Sequence, residues 1–188
     1  TVTGNYVTQY YLTVNTNPSE VLTLDPSAVS GEDWYDSGTT ANVDAVQIVD
    51  KVADQSRYDF NSWTGATPTG VGNQATVYMS GPKTATANYQ LQYRITFDQT
   101  GVDTDFTGTV VTIDGTGYGV TGAHTLPTSF WWDDQSSHSF SFASPLDVNG
   151  GKQYVWTSTI GLSILQSDNQ FQVAESGSIT ANYKTQYY

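Results

Sequence analysis

The chain has 188 residues, no cysteine, and 18 acidic against 6 basic residues, which gives a formal net charge of −12. This balance repels phosphate backbones and argues against nucleic acid as a partner. The lack of cysteine excludes thiol catalysis, disulfides and thiolate metal sites, and no apolar run of about 18 residues is present that would insert into a membrane.

One eight-residue phrase occurs three times, as Thr3–Tyr10, Thr86–Tyr93 and Thr180–Tyr187. Each copy reads Thr-small-Asn-Tyr-x-x-Gln-Tyr. Recurrence of this kind marks repeat architectures, in which the phrase that closes one unit also leads into the next. The predicted segments are a closing strand of a preceding repeat (1–10), a first β module (11–92) and a second β module (93–188).

Short strand-like segments separated by turn residues fill the first module. They are Tyr10–Asn15, Val21–Leu24, Thr39–Ile48, Tyr58–Gly65, Ala75–Met79 and Thr84–Tyr93. Val43–Ala53 has room for about two helical turns, but its β-branched residues weigh against a helix. Thr, aromatic and β-branched residues are typical of strands, so the pattern predicts β-structure throughout.

The second module follows the same order. Tyr154–Gly161 aligns without gaps to Tyr58–Gly65, and Asp114-Gly115 predicts a tight hairpin turn. Trp131-Trp132 takes the place of Trp34-Tyr35. The sequence therefore predicts an all-β protein of two tandem antiparallel sandwich-like repeat modules.

The motifs of residues 8–91 resemble a known family. Gly31-x-x-Trp34-Tyr35-x-x-Gly38, then Tyr58-x-Phe-x-x-Trp-x-Gly65 and the closing Thr76–Tyr89, are similar to divergent internalin-B-type repeats of large archaeal and bacterial cell-surface proteins. The similarity is looser over 92–188. It implies an extracellular spacer, stalk or adhesin module, and it offers no catalytic residue to transfer.

Two aromatic pairs are candidate ligand-binding residues. Trp34-Tyr35 and Trp131-Trp132 lie beside acidic residues, and exposed rings next to carboxylates are typical of sugar-binding surfaces. The alternative is that one ring of each pair fills the module core and the other packs at a junction between modules. The equivalent repeat positions of the two pairs favour packing.

Acidic clusters are candidate cation or catalytic sites. Asp98, Asp103 and Asp105 form an oxygen-rich loop of the sort that holds Ca²⁺, although the closing Glu of the twelve-residue calcium loop is lacking. A solvated acidic loop is the simpler alternative. Paired carboxylates also serve glycoside hydrolysis, but the spacing singles out no pair.

The two histidines, His124 and His138, are not at zinc-binding spacing. Ser137 is adjacent to His138, so on a strand the two side chains point to opposite faces and form no triad. A surface or junction position is predicted for the His138 ring. The residues thus assign no catalytic site and no cofactor apart from the calcium alternative.

The N-terminal copy of the phrase is the candidate partner site. Thr3–Tyr10 either pairs within the first module, covers the sheet edge of another molecule, or stays loose, because unpaired strand edges invite strand addition. The resulting prediction is a non-catalytic structural segment of an extracellular, cell-surface protein. Its partners are neighbouring repeats, with head-to-tail self-assembly through Thr3–Tyr10 as a further expectation. The alternative is a carbohydrate-binding module with glycans as partners.

Overall fold

The computed structural model describes residues 1–187, and its regular secondary structure is almost entirely β-strand. The chain divides into two compact units, Thr1–Leu91 and the part that begins at Gln92. Each unit has two sheets with an apolar core, so the predicted all-β, sandwich-like fold is confirmed. Residues 1–187 contain no helix with the length and apolar character needed to cross a membrane.

The first unit is built from short strands and one helical turn. Its elements are β1 (Gln9–Asn17), α1 (Glu20–Leu24), β2 (Val29–Ser30), β3 (Asp33–Asp36), β4 (Thr40–Ala45), β5 (Ile48–Val52), β6 (Ser56–Thr64), β7 (Thr67–Pro68) and β8 (Ala75–Tyr78). The 18-residue strand β9 (Lys83–Thr100) is the last strand of this unit in its first part and the first strand of the second unit in the rest.

The second unit repeats this arrangement after β9. Its further elements are β10 (Val111–Ile113), β11 (Thr116–Tyr118), β12 (Thr128–Asp133), β13 (Ser137–Phe142), β14 (Leu146–Val148), β15 (Lys152–Gly161), β16 (Ser167–Gln172) and β17 (Gly177–Tyr187). The predicted Asp114-Gly115 turn joins β10 to β11, and both residues have positive φ, 45° and 82°.

The larger sheet has the same strand order in both units. In the first it runs β3-β1-β9-β6-β5, and in the second β12-β9-β17-β15-β14. Four strands form the other sheet, in the order β2-β4-β8-β7 or β11-β10-β13-β16. Each larger sheet therefore contains five strands in the same order. They are an edge strand (β3 or β12), a first strand (β1 or β9), a closing strand (β9 or β17), a long strand (β6 or β15) and the hairpin partner of that long strand (β5 or β14).

One pairing in each larger sheet is parallel, whereas the sequence predicted antiparallel modules. β1 pairs with β9 from Leu12↔Lys83 to Asn17↔Asn88. β9 pairs in the same way with β17. Parallel neighbours need a crossover connection, and here the chain passes through the second sheet before its closing strand returns beside the first strand.

The closing strands bury alternate residues. Ala85, Ala87 and Tyr89 on β9 are at most 8% exposed, and Ile179, Ala181 and Tyr183 on β17 are at most 7% exposed. These positions face the core because successive side chains of a strand point to opposite faces.

The closing tyrosine reaches across to backbone carbonyls of other segments in its unit. The Tyr89 hydroxyl donates to the carbonyl oxygens of Val46 at 2.8 Å or Ala28 at 3.2 Å. The Tyr183 hydroxyl lies 2.9 Å from the corresponding oxygen of Ala143. Burial is the main cause that raises the pKa of Tyr89 to about 12, and burial also raises the pKa of Tyr183.

The gapless alignment of Tyr58–Gly65 with Tyr154–Gly161 is confirmed by shared contacts. The Asn88 side-chain amide donates to Ser62 Oγ at 3.4 Å. The equivalent amide of Asn182 donates to Ser158 Oγ at 3.1 Å. The Asn of the repeated phrase therefore has a structural role, because its side chain donates a hydrogen bond to the neighbouring strand of the same sheet.

The predicted strand at Val21–Leu24 is wrong, because α1 occupies Glu20–Leu24. The Asp25 amide donates to the Val21 carbonyl at 2.8 Å, as in a helical turn. Val21 is fully buried while Leu24 is 38% exposed. A single apolar anchor suits one turn of helix better than a half-buried strand.

Thr1–Thr8 lie outside every strand, while Gln9 and Tyr10 begin β1. The Thr8 carbonyl accepts a hydrogen bond from the Ser37 amide at 2.8 Å. The assignment of 1–10 to a preceding repeat, and the module limits 11–92 and 93–188, stay predictions.

A glycine at the end of the long strand tests this packing. Gly161 has φ +102°, and an added Cβ would lie 2.0 Å from the Ser178 carbonyl oxygen of β17. Gly150, in the β14–β15 turn, has φ +94° with nothing within 4 Å of such an atom. We expect Gly161→Ala to lower the free energy of unfolding by about 3 kcal/mol or more, and Gly150→Ala by about 1 kcal/mol.

Denaturant unfolding of the two variants measures the difference. Positive φ strains both alanines alike, so the contrast isolates the clash with β17. Equal losses in the two variants would contradict the close approach of β15 and β17.

Candidate functional site

The two aromatic pairs occupy equivalent edge strands. Trp34 lies opposite Tyr11 in the β1–β3 ladder, and Trp131 lies opposite Arg94 in the β9–β12 ladder. The pairs therefore share a register with respect to the first strand of their unit.

The second ring of each pair points inward. Trp132 is 8% exposed and stacks on His138, with ring centroids 3.6 Å apart. Tyr35 packs against the first core, and its hydroxyl donates to the Gly31 carbonyl at 2.9 Å.

The first ring of each pair points away from the core. Trp34 is 59% exposed and meets the Tyr11 ring edge-on at 5.3 Å, while Trp131 is half-buried. Adjacent strand residues cannot share a face. The pairs therefore present one outward ring each rather than a two-ring platform, and ligand binding by Trp34, Tyr35, Trp131 and Trp132 stays a prediction.

The Gln of the repeated phrase fixes the strand that carries these rings. Gln9 Nε2 donates to Asp36 Oδ1 at 2.9 Å. Gln92 Nε2 donates to Asp133 Oδ1, also at 2.9 Å. These acidic residues thus hold the edge strand in register.

The three carboxylates predicted to bind calcium are not brought together as a set. Asp103 and Asp105 both face Lys152, at 3.9 and 2.7 Å, but the Asp98 carboxylate accepts a bond from the Gln99 amide. In residues 1–187 no three or more His, Asp or Glu side chains are grouped so that they could hold a metal ion. Calcium binding by Asp98, Asp103 and Asp105 stays a prediction.

Asp105 belongs instead to a Lys–Tyr–carboxylate cluster. The Tyr154 hydroxyl donates to Asp105 at 2.6 Å, and Lys152 Nζ donates to both residues at 2.6–2.7 Å. The bond from Lys152, followed by that from Tyr154, lowers the pKa of Asp105. The bond to Asp105 in turn raises the pKa of Lys152.

The first unit has a matching cluster, assembled from different elements. The Tyr58 hydroxyl donates to Glu20 of α1 at 2.6 Å, and Lys51 of β5 lies 3.1 Å from the same carboxylate. The bond from Tyr58, followed by that from Lys51, lowers the pKa of Glu20. In both units the cluster satisfies the hydroxyl of a buried tyrosine at the aligned position.

A Ser–His–Asp arrangement in the second unit was missed by sequence reasoning. His138 Nδ1 lies 2.7 Å from Asp114 Oδ2, and His138 Nε2 lies 2.9 Å from Ser136 Oγ. The prediction considered the adjacent Ser137, whereas Ser136 is two residues away and so can share a face with His138. Asp114 comes from the hairpin turn between β10 and β11.

The geometry does not activate Ser136 as a nucleophile. Its hydroxyl donates to the Asp133 carbonyl at 2.6 Å, which uses its single proton. A general base would instead accept the hydroxyl proton. The arrangement therefore ties a turn to the start of β13.

Two surface cavities formed by the described residues, one in each unit, contain a single carboxylate each. The cavity of about 350 Å³ beside β4 in the first unit has Asp44 as its carboxylate. The cavity of about 140 Å³ near β16 in the second has Glu175. Glycoside hydrolysis uses two flanking carboxyl groups, so neither cavity fits that reaction.

No protein-family model matches the chain, and the search of curated proteins found no match. Among solved structures, the chain is similar to Streptococcal High Identity Repeats in Tandem (SHIRT) domains 3-4 from a cell surface protein. That similarity has a TM-score of 0.25 at 14% identity, and it covers 95% of this chain and 99% of the other. The resemblance to internalin-B-type repeats stays a prediction.

Asp114 provides a pH-dependent test of the His138 contact. Burial alone raises the pKa of Asp114, but bonds from the Ser139 amide and His138 hold it below its ordinary value. A lowered pKa stabilises the fold above the unfolded value of about 4, and the gain is lost as pH falls through the folded pKa.

We expect Asp114→Asn to lower the free energy of unfolding by about 1 kcal/mol at neutral pH, and by less near pH 2. Urea unfolding between pH 2 and 7 measures the difference. Asp147→Asn, at an exposed position on β14, is the control. A deficit that does not shrink at low pH would exclude this account.

Proposed function

We propose that this chain is a load-bearing structural segment of an extracellular cell-surface protein and has no reactive centre. The observation that carries the proposal is the parallel pairing of the first and closing strands in each unit. Tension along the chain pulls the start of the first strand and the end of the closing strand apart. Because these strands are parallel neighbours, the load shears the ladder between them.

A ladder that is pulled in shear resists force because all of its residue pairs carry the load together. Six residue pairs join β1 to β9, from Leu12↔Lys83 to Asn17↔Asn88. Under shear these rungs must fail together, whereas peeling breaks one hydrogen bond at a time, each worth about 1 kcal/mol net. β9 then passes the load directly into the second unit, where it forms the next parallel ladder with β17.

Four carboxylates that could serve chemistry have structural partners instead. The carboxylates of Asp36, Asp105, Asp114 and Asp133 all bind side chains of their own unit. The net charge of −12 favours solubility, and salt outside the cell screens its self-repulsion. These features support an architectural role outside the cell.

The second candidate function is glycan binding, which the exposure of Trp34 favours. Its ring is 59% exposed and lies against Tyr11, which is 37% exposed. Exposed aromatic faces of this kind suit stacking on sugars.

A glycan array with the purified chain and a Trp34→Ala, Trp131→Ala variant separates the two functions. The structural proposal predicts no binding that depends on these rings. Binding that the double variant loses would establish the carbohydrate-binding alternative.

Single-molecule pulling tests the load-bearing role. The chain has no cysteine, so engineered pairs define the direction of force. Thr8→Cys with Gln90→Cys pulls the β1–β9 ladder in shear, because the two sites lie at opposite ends. Thr8→Cys with Lys83→Cys puts both sites at one end and peels it. We expect a several-fold higher rupture force for the shear pair.

The peeling variant is the matched control, since it keeps one attachment point and the same unit. Its free energy of unfolding without force should equal that of the shear variant. Equal rupture forces in the two directions would overturn the load-bearing proposal, whatever the outcome of the glycan array.

A further inference from the structure

The sequence of the N-terminal segment aligns with all three core-facing positions of a closing strand. When the repeated phrases are aligned, Tyr6 takes the position of Tyr89 and Tyr183. Gly4 and Val2 then fall at the two preceding inward positions. In the closing strands those positions hold Ala87 and Ala85, or Ala181 and Ile179, all of them 0% exposed.

The same positions are fully exposed at the N-terminus. Val2 is 101% and Tyr6 is 96% exposed, while Tyr89 and Tyr183 are 8% and 7% exposed. Burial of a large apolar side chain stabilises a fold, so the exposure of Val2 and Tyr6 leaves that stabilisation unrealised. The sequence of this segment is suited to packing against an apolar core, but in this structure its apolar side chains contact none.

We propose that Thr1–Tyr6 closes another β unit of this same kind, one with an open slot between its first strand and its long strand. This proposal rests on the proposed structural role and names the partner of the segment. Both units of this chain already have their own closing strands, β9 and β17. The partner is therefore a separate unit that lacks this strand.

The contacts of β9 and β17 define what the slot must offer. Asn5 replaces Asn88 and Asn182, each of which donates to a Ser hydroxyl on the long strand. Tyr6 replaces the tyrosine whose hydroxyl donates to backbone carbonyls. The segment lies parallel to the partner's first strand and antiparallel to its long strand. At its far end it continues into β1, as β9 continues from one unit into the next.

An extended chain tests the proposal directly. A second copy of residues 92–177 is fused to the amino terminus of the chain. The added unit then has every strand except the closing one. Thr1 follows directly and takes the position that Ser178 has in the second unit. We expect the added unit to fold, with the amides of residues 2–7 protected from hydrogen exchange. Tyr6→Ala should reduce that protection by about 100-fold in the extended chain. The same substitution should leave unfolding of the 188-residue chain unchanged.

The matched control fuses a second copy of residues 92–187 directly to Tyr11, so the added unit keeps its own closing strand. A folded control beside an unfolded test chain would overturn the proposal. Self-association of the 188-residue chain that Tyr6→Ala abolishes would assign the segment to a second copy instead, and would also overturn it.

If neither extended chain folds its added unit, a transplant decides. The sequence of residues 1–10 replaces residues 178–187 of the 188-residue chain, as the closing strand of the second unit. Retained folding of that unit supports the proposal, and its loss overturns it. None of these outcomes changes the rupture force of the β1–β9 ladder, so the load-bearing role is judged separately.

Discussion

The closing strand of each unit must satisfy both of its edges and its inward face at once. β9 lies between a parallel neighbour, β1, and an antiparallel neighbour, β6, and its tyrosine donates to carbonyls of other segments. An unpaired backbone group or hydroxyl in such a position costs about 1–3 kcal/mol. The residues of the repeated phrase meet these requirements. Its Asn binds the long strand, its Tyr spans the core, and its Gln holds the edge strand in register.

Local patterns predicted much of the fold. The Asp114-Gly115 turn and the alignment of Tyr58–Gly65 with Tyr154–Gly161 each depend on residues close together in the chain, and each appears as expected. Strand direction was less accessible, because the parallel pairs join residues 71 positions apart in the first unit and 82 in the second. α1 was missed since five residues carry too little periodic pattern to separate a helical turn from a short strand.

The site chemistry was harder to predict, because its partners come from distant segments. Lys51 reaches Tyr58 from β5, whereas Lys152 reaches Tyr154 from the same strand. No alignment of the two halves would match these lysines. Asp114 likewise meets His138 only because a hairpin turn approaches β13. By contrast, the outward and inward rings of Trp131 and Trp132 follow from strand alternation alone.

The long sequence separation of the parallel pair also sets an order for folding during synthesis. β1 emerges from the ribosome well before Lys83, so the larger sheet of the first unit waits for β9 with two open edges. When β9 arrives it completes that sheet, and its remaining residues are already the first strand of the second unit. The first unit thus supplies the first strand of the second, and the two units are expected to fold vectorially from the N-terminus.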